Sequence, residues 1–91
     1  MRERDVETYF VRRVKEAGGL QRKFVSPGHR GVPDRIVVYF GDVYFVELKA
    51  PGKDLRPDQS REHDRLFAAG AGVWVAASKG EVDTFIEFIT R

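Results

Sequence analysis

The strongest constraint on the fold is a pair of strand-like runs, Arg35–Phe40 and Val43–Leu48, rich in β-branched and aromatic residues and separated only by Gly41-Asp42. Such runs joined by a two-residue Gly-X connection predict a β-hairpin. The two-residue loop sets Phe40 opposite Val43, which carries Ile36 opposite Glu47 and Asp34 opposite Lys49. Facing residues of an antiparallel pair project to the same side, so Asp34, Ile36, Val38 and Phe40 share a face with Val43, Phe45, Glu47 and Lys49. Three charged groups therefore gather at one end of an otherwise apolar face. Diagonal partners such as Asp34 and Glu47 lie roughly 7–8 Å apart at the backbone, near enough for two carboxylates to converge on one cation.

Around the hairpin the chain reads as a mixed α/β arrangement. Val6, Phe10, Val14 and Ala17 follow helical spacing from about Glu3 to Ala17, and Gly18-Gly19 stops that helix. Glu7 lies close to the buried stripe, a costly place for a carboxylate unless something compensates it. Leu20–Val25 is a short strand and Ser26–Pro33 a loop by its Pro and Gly content. After Leu48 a turn over 50–54 leads to a helix starting near Arg56-Pro57-Asp58 and running to Ala69, with Pro57 and Asp58 supplying ordinary helix-start chemistry. Val73–Ala77 is a buried strand, parallel to the preceding one because a helix connects them. Ser78–Thr90 is a last helix with Val82, Phe85, Ile86 and Ile89 inward, and Trp74 reads as core or interface.

The expected organisation is a single domain over residues 1–91: 91 residues with 42% apolar and 33% charged composition can bury one core but not two. The absence of cysteine excludes a disulfide framework and a thiolate zinc site, leaving oxygen or imidazole to hold any metal. No apolar run approaches a membrane span, and the charged N-terminus does not resemble a signal peptide, so an intracellular location away from membranes is expected. The net charge of +2 is too small to identify a nucleic-acid binder. Its distribution is more telling, since seven basic against two acidic residues between Arg12 and Arg35 give +5 there, a bias that suits a phosphate-facing side or a solvated basic surface.

Asp34, Glu47 and Lys49 carry the chemistry, with Glu7 and Gln59 as further candidates. Period two places Glu47 and Lys49 on one side of their strand and leaves the backbone carbonyl of Leu48 near the carboxylates. Two carboxylates plus a carbonyl make an open site for Mg²⁺, which takes oxygen ligands and keeps several waters. A water there can attack a phosphoryl centre while Lys49 orients or deprotonates it, or stabilises developing charge. The plain alternative is a cross-strand Asp34–Lys49 ion pair beside a solvated Glu47 and a helix-boundary Glu7. His29 is a phosphate contact or a solvated loop residue, and His63, four residues after Gln59, either approaches the site or substrate or, by default, lies on the helix surface. Arg30, Lys53 and Arg56 flank the cluster and suit backbone phosphates, as does Arg35 less well because it points to the sheet face opposite Asp34.

Gly31-Val32-Pro33-Asp34, a gap of twelve residues, and then Glu47-Leu48-Lys49-Ala50-Pro51-Gly52 resemble the PD-(D/E)XK nuclease superfamily. With Glu7-Thr8-Tyr9-Phe10-Val11 and Gln59 in the same order, nearly the whole chain is similar to its VRR-NUC (virus-type replication-repair nuclease) family. The resemblance implies the small mixed sheet flanked by helices of the restriction-endonuclease-like core, in α-β-β-β-α-β-α order. It implies Mg²⁺ or Mn²⁺ on Asp34 and Glu47, Lys49 as the catalytic lysine, Glu7 as the helix-borne acid with Glu3 as its alternative one turn earlier, and Gln59 arranging the site. It further implies a metal-dependent endonuclease acting on Holliday or other branched DNA, a homodimer, and a phage-type protein working in the bacterial cytoplasm. The alternatives are a nuclease on linear, nicked or single-stranded nucleic acid, and a non-catalytic binding module that retains the fold.

Overall fold

The structure is a computed structural model describing residues 1–91. Its elements are α1 (Glu3–Glu16), β1 (Leu20–Lys23), β2 (Arg35–Tyr39), β3 (Asp42–Leu48), α2 (Pro57–Ala68), β4 (Gly72–Ala76) and α3 (Lys79–Thr90). The predicted order holds, with ends moved by one or two residues. The sheet runs β1-β2-β3-β4, antiparallel through the first three strands and parallel between β3 and β4.

Alternation along the strands divides the chain into two layers. Val37, Val46, Leu48 and Ala76 point to one face and are buried with Val6, Phe10 and Val14 of α1 and Val82, Phe85, Ile86 and Ile89 of α3. Trp74 joins this core, its ring 5.5 Å from Phe85 and 4.8 Å from Phe88. Asp83 ties the two helices together by accepting from Tyr9 Oη at 2.6 Å and from Arg13 Nε at 3.1 Å. The opposite face carries Ile36, Val43, Phe45 and Glu47, and α2 lies against its Glu47 end through Gln59. No helix is long and apolar enough to cross a membrane.

The hairpin differs in register from the sequence expectation. Tyr39 pairs with Asp42, Ile36 with Phe45 and Arg35 with Val46, so Ile36 does not face Glu47 and Asp34 does not face Lys49. The turn is centred on Phe40-Gly41, where φ is 44° and 92°, the doubly positive combination of a type I′ turn. Gly41 occupies the second central position of that turn, rather than the first as a Gly41-Asp42 loop required. The shift is two residues, which preserves every face assignment while sliding Asp34 level with Glu47 as the register continues. Phe40 leaves the strand and is exposed. β1 also ends early, at Lys23, although the Phe24 N–H still donates to the Asp34 carbonyl at 2.7 Å.

Candidate active site

Asp34 enters the sheet end from the loop before β2, its backbone held by Phe24 and its side chain by β3. The Leu48 N–H donates to Asp34 Oδ2 at 3.0 Å. Glu47, the next residue back along β3, is only 2% exposed. One of its oxygens, Oε2, accepts from Gln59 Nε2 at 3.2 Å and lies 3.6 Å from Lys49 Nζ. The Asp34–Lys49 ion pair of the plain alternative is not formed, and Lys49 pairs instead with Glu47 along one strand. The other oxygen, Oε1, is buried with no partner. Burial foremost, and then the charge of Asp34, push the Glu47 carboxyl up to about 7, with Lys49 working against them.

A buried acceptor without a donor is unfavourable, and a second carboxylate beside it adds repulsion. A divalent cation relieves both, so the donor set fits a hard metal ion on an observation independent of the sequence motif. No three acidic or imidazole side chains are arranged to cage a metal by themselves. An ion here would be held by Asp34 and Glu47 with backbone oxygen and water, the open arrangement magnesium favours.

The inward face of α2 is unusual because its buried residues are Gln59, Glu62 and His63 rather than aliphatic side chains. Gln59 does two things at once: Oε1 accepts from the Arg56 N–H at 2.9 Å, closing the first turn of the helix, and Nε2 fixes Glu47. Gln59 is thus both a first-turn cap of α2 and the support of the Glu47 carboxylate. His63 was expected on the helix surface and is instead 6% exposed, with Nε2 unpartnered. Its i, i+4 spacing from Gln59 turns it inward behind the site, where burial lowers its basicity despite the nearby charges of Asp34, Asp64 and Glu62.

On the core side of the sheet end, Glu7 of α1 lines a shallow depression with Asp34, Phe24 and Arg35. Its Oε2 lies 3.8 Å from the guanidinium of Arg35, which is buried and also donates to Gln21 Oε1 at 2.9 Å. That cation offsets the cost of a carboxylate beside the apolar stripe. Arg35 is consequently a bracket inside the protein rather than a free phosphate contact. Glu3 reaches the same end of the sheet, where desolvation and the neighbouring carboxyls of Glu7 and Asp34 raise its own. Both helix acids thus approach Asp34, and Glu7 is the one held in place by Arg35.

The loop before Asp34 is clamped to α2. A Cβ on Gly31 (φ 88°) would stand 2.4 Å from the Asp58 carbonyl oxygen, so only glycine permits this approach. His29 Nε2 lies 2.8 Å from Glu62 Oε1, replacing the expected solvated or phosphate-bound state with an anchor to the helix. Arg56 and Arg30 converge on Asp58, at 3.2 Å and 3.9 Å respectively, and Lys53 is exposed on the loop between β3 and α2. Sequence reasoning missed Glu62 and Arg35 as organising groups and put His63 on the helix surface by default. The inward spacing of 59, 62 and 63 was the available signal, and its polar composition concealed it.

No family model matches the sequence. Individual relatives do. The chain is 51% identical over 80 residues to the protein named "Putative nuclease p44" of Acyrthosiphon pisum secondary endosymbiont phage 1, covering 87% of this chain and 86% of that one. It is also similar to a solved VRR_NUC domain at 39% identity and a TM-score of 0.86, over 93% of this chain and 94% of that structure. This chain belongs to the VRR-NUC family. Its four-stranded mixed sheet and three helices are accordingly the restriction-endonuclease-like core implied by the sequence resemblance. In this VRR-NUC chain the resemblance-bearing residues Asp34, Glu47, Lys49 and Gln59 converge on one sheet end, with Glu7 and Glu3 approaching from α1.

Proposed function

We propose that this protein is a metal-dependent endonuclease that hydrolyses phosphodiester bonds at branched DNA, working as one nuclease domain over residues 1–91 inside a bacterial cell. The observation that carries the reading is the buried Glu47 carboxylate beside Asp34, with one oxygen unpartnered and Lys49 against the other. Asp34 and Glu47 would hold Mg²⁺ or Mn²⁺, helped by the Leu48 carbonyl and by Glu7 directly or through water. When bound there, such an ion supplies Lewis-acid charge to a phosphoryl oxygen and acidifies water. Lys49 orients the attacking water, takes its proton or stabilises charge on the phosphoryl group. Gln59 holds Glu47 in its rotamer, and Asp34 is fixed through the Leu48 amide. His29, Arg30, Lys53 and Arg56 border the path a DNA backbone would take. The family membership and the phage origin of the named relative support this reading.

Substrate choice is read directly by cleaving end-labelled four-way junction, splayed-arm, nicked and linear duplex DNA in Mg²⁺ or Mn²⁺. The four-way junction is expected to be cut fastest. Faster cutting of linear duplex would assign general nuclease activity instead, and salt-sensitive binding without cleavage on any substrate would favour a binding module.

A homodimer is part of the proposal, because two sites on paired chains suit paired strands. Leu20, Val38 and Val43 form a row across β1, β2 and β3 on the sheet face that carries Glu47, and all three are exposed. Exposed apolar surface of this kind suits association with a second copy. Sedimentation equilibrium is expected to give the mass of two chains for wild type and of one for Val43→Lys. A monomeric wild type would refute the dimer.

A further inference from the structure

Beside the candidate active site lies a cavity of about 510 Å³ walled by the Gly28–Arg30 loop and α2, into which Arg30, Arg56, Arg61 and Arg65 project with Asp58 as the lone lining acid. Resting on the nuclease reading above, we propose that this groove binds a non-scissile backbone phosphate of the nucleic-acid substrate, with Arg61 and Arg65 as its specific ligands.

Four cations against Asp58 leave the lining strongly positive, even with Glu62 behind it. Arg56 and Arg30 are engaged by Asp58, and Arg65 Nε donates to Glu62 Oε1 at 3.0 Å. Arg61 makes no ion pair or side-chain hydrogen bond within the protein, so its guanidinium has no structural task. Arg61 and Arg65 stand one helical turn apart, about 6 Å along the axis. Each offers planar donors matched to a phosphate.

The groove is built rather than incidental. Gly31 lets the loop press onto the Asp58 backbone, and Glu62 holds His29 from the loop and Arg65 from the helix in one arrangement. The same walls run into the active site: Asp58 borders the groove while Gln59, the next residue, contacts Glu47, and Gly31 lies three residues before Asp34. A strand whose phosphate sits in the groove is thereby directed toward the carboxylates. Phosphate contacts of this kind set register and orientation without reading bases.

Fluorescence anisotropy of a labelled four-way junction in EDTA, titrated across salt, separates this proposal from the cleavage chemistry. Each lost phosphate contact flattens the slope of log K against log salt by about 0.9, so Arg61→Gln is expected to flatten it by about 0.9 and the Arg61→Gln/Arg65→Gln pair by about 1.8. Because Arg61 has no partner in the fold, the single variant keeps the test independent of folding. The control pair Lys79→Gln/Arg91→Gln, on exposed positions at the two ends of α3, should leave the slope unchanged. An unchanged slope for Arg61→Gln, or equal flattening by the control, would overturn the groove. A failure of the nuclease reading shows elsewhere, as wild type that binds with the expected slope yet never cuts when metal is restored.

Discussion

Lys49→Ala is expected to slow junction cleavage by about 10³-fold while leaving junction affinity within a few fold of wild type, as measured by single-turnover cleavage and anisotropy on the same DNA. Lys49 is held against Glu47 Oε2 and is largely withdrawn from solvent, so it is poorly placed to serve as one more electrostatic contact to distant phosphates. Its position suits a group acting on the nucleophile or on developing phosphoryl charge, where loss of a single positioned donor or proton acceptor costs two to four orders of magnitude. Lys49→Arg keeps the charge but not the compact ammonium and should remain severely impaired. Cleavage by Lys49→Ala at the wild-type rate would remove the lysine from the chemistry.

The second large effect is on stability. The Glu47 carboxyl sits at about 7 in the folded metal-free protein, against an ordinary value of 4.5. The folded state therefore binds the proton more tightly than the unfolded state, so the stability supplied by a neutral Glu47 is present below about 4.5 and is lost as pH rises to about 7. A displacement of this size corresponds to on the order of 3 kcal/mol. His63 acts in the opposite sense, since burial lowers its pKa and its contribution grows as pH rises toward 6.5. The comparison that isolates Glu47 is with Glu47→Gln, which keeps an acceptor for Gln59 and leaves Asp34 to balance Lys49. In EDTA at pH 8 Glu47→Gln should melt roughly 10–20 °C above wild type, and the gap should close at pH 4.5. Added Mn²⁺ should raise the wild-type melting temperature at pH 8, more than at pH 5, and leave the Glu47→Gln protein little changed. Equal melting of the two proteins in EDTA across this range would show that Glu47 carries no electrostatic burden for a cation to relieve.

Without a cation and above about pH 7 the site therefore lowers stability, in contrast to the core formed by α1, α3 and the inner sheet face. That division explains what was legible in the sequence. Element order, the inner stripe of α1 and the packing face of α3 followed from apolar periodicity, which burial enforces residue by residue. The shared face of Asp34, Glu47 and Lys49 also survived, because a register error of two residues preserves strand parity. What failed was the level of pairing, since a left-handed Phe40 φ is not legible from composition, and Gly41 serves either central position of a two-residue turn. The polar interior was the larger omission. His63 is turned inward by its spacing from Gln59, and Glu62 and Arg35 are buried through tertiary partners, His29 for the first and Glu7 and Gln21 for the second, that lie far away in the chain or on another element. Hydropathy assigns such residues to the surface, and only the fold shows that they hold the loop before Asp34 and the acid on α1 in place.

The proposed cleavage depends on a divalent cation held by Asp34 and Glu47. Its most direct test is cleavage of an end-labelled four-way junction by wild type and Asp34→Ala, each folded, in Mg²⁺, Mn²⁺ or EDTA, with binding recorded in parallel. Wild type should cut only with metal present, and Asp34→Ala should bind the junction without cutting it. Cleavage in EDTA, cleavage by Asp34→Ala at the wild-type rate, or a wild type that binds and never cuts in either metal would contradict it.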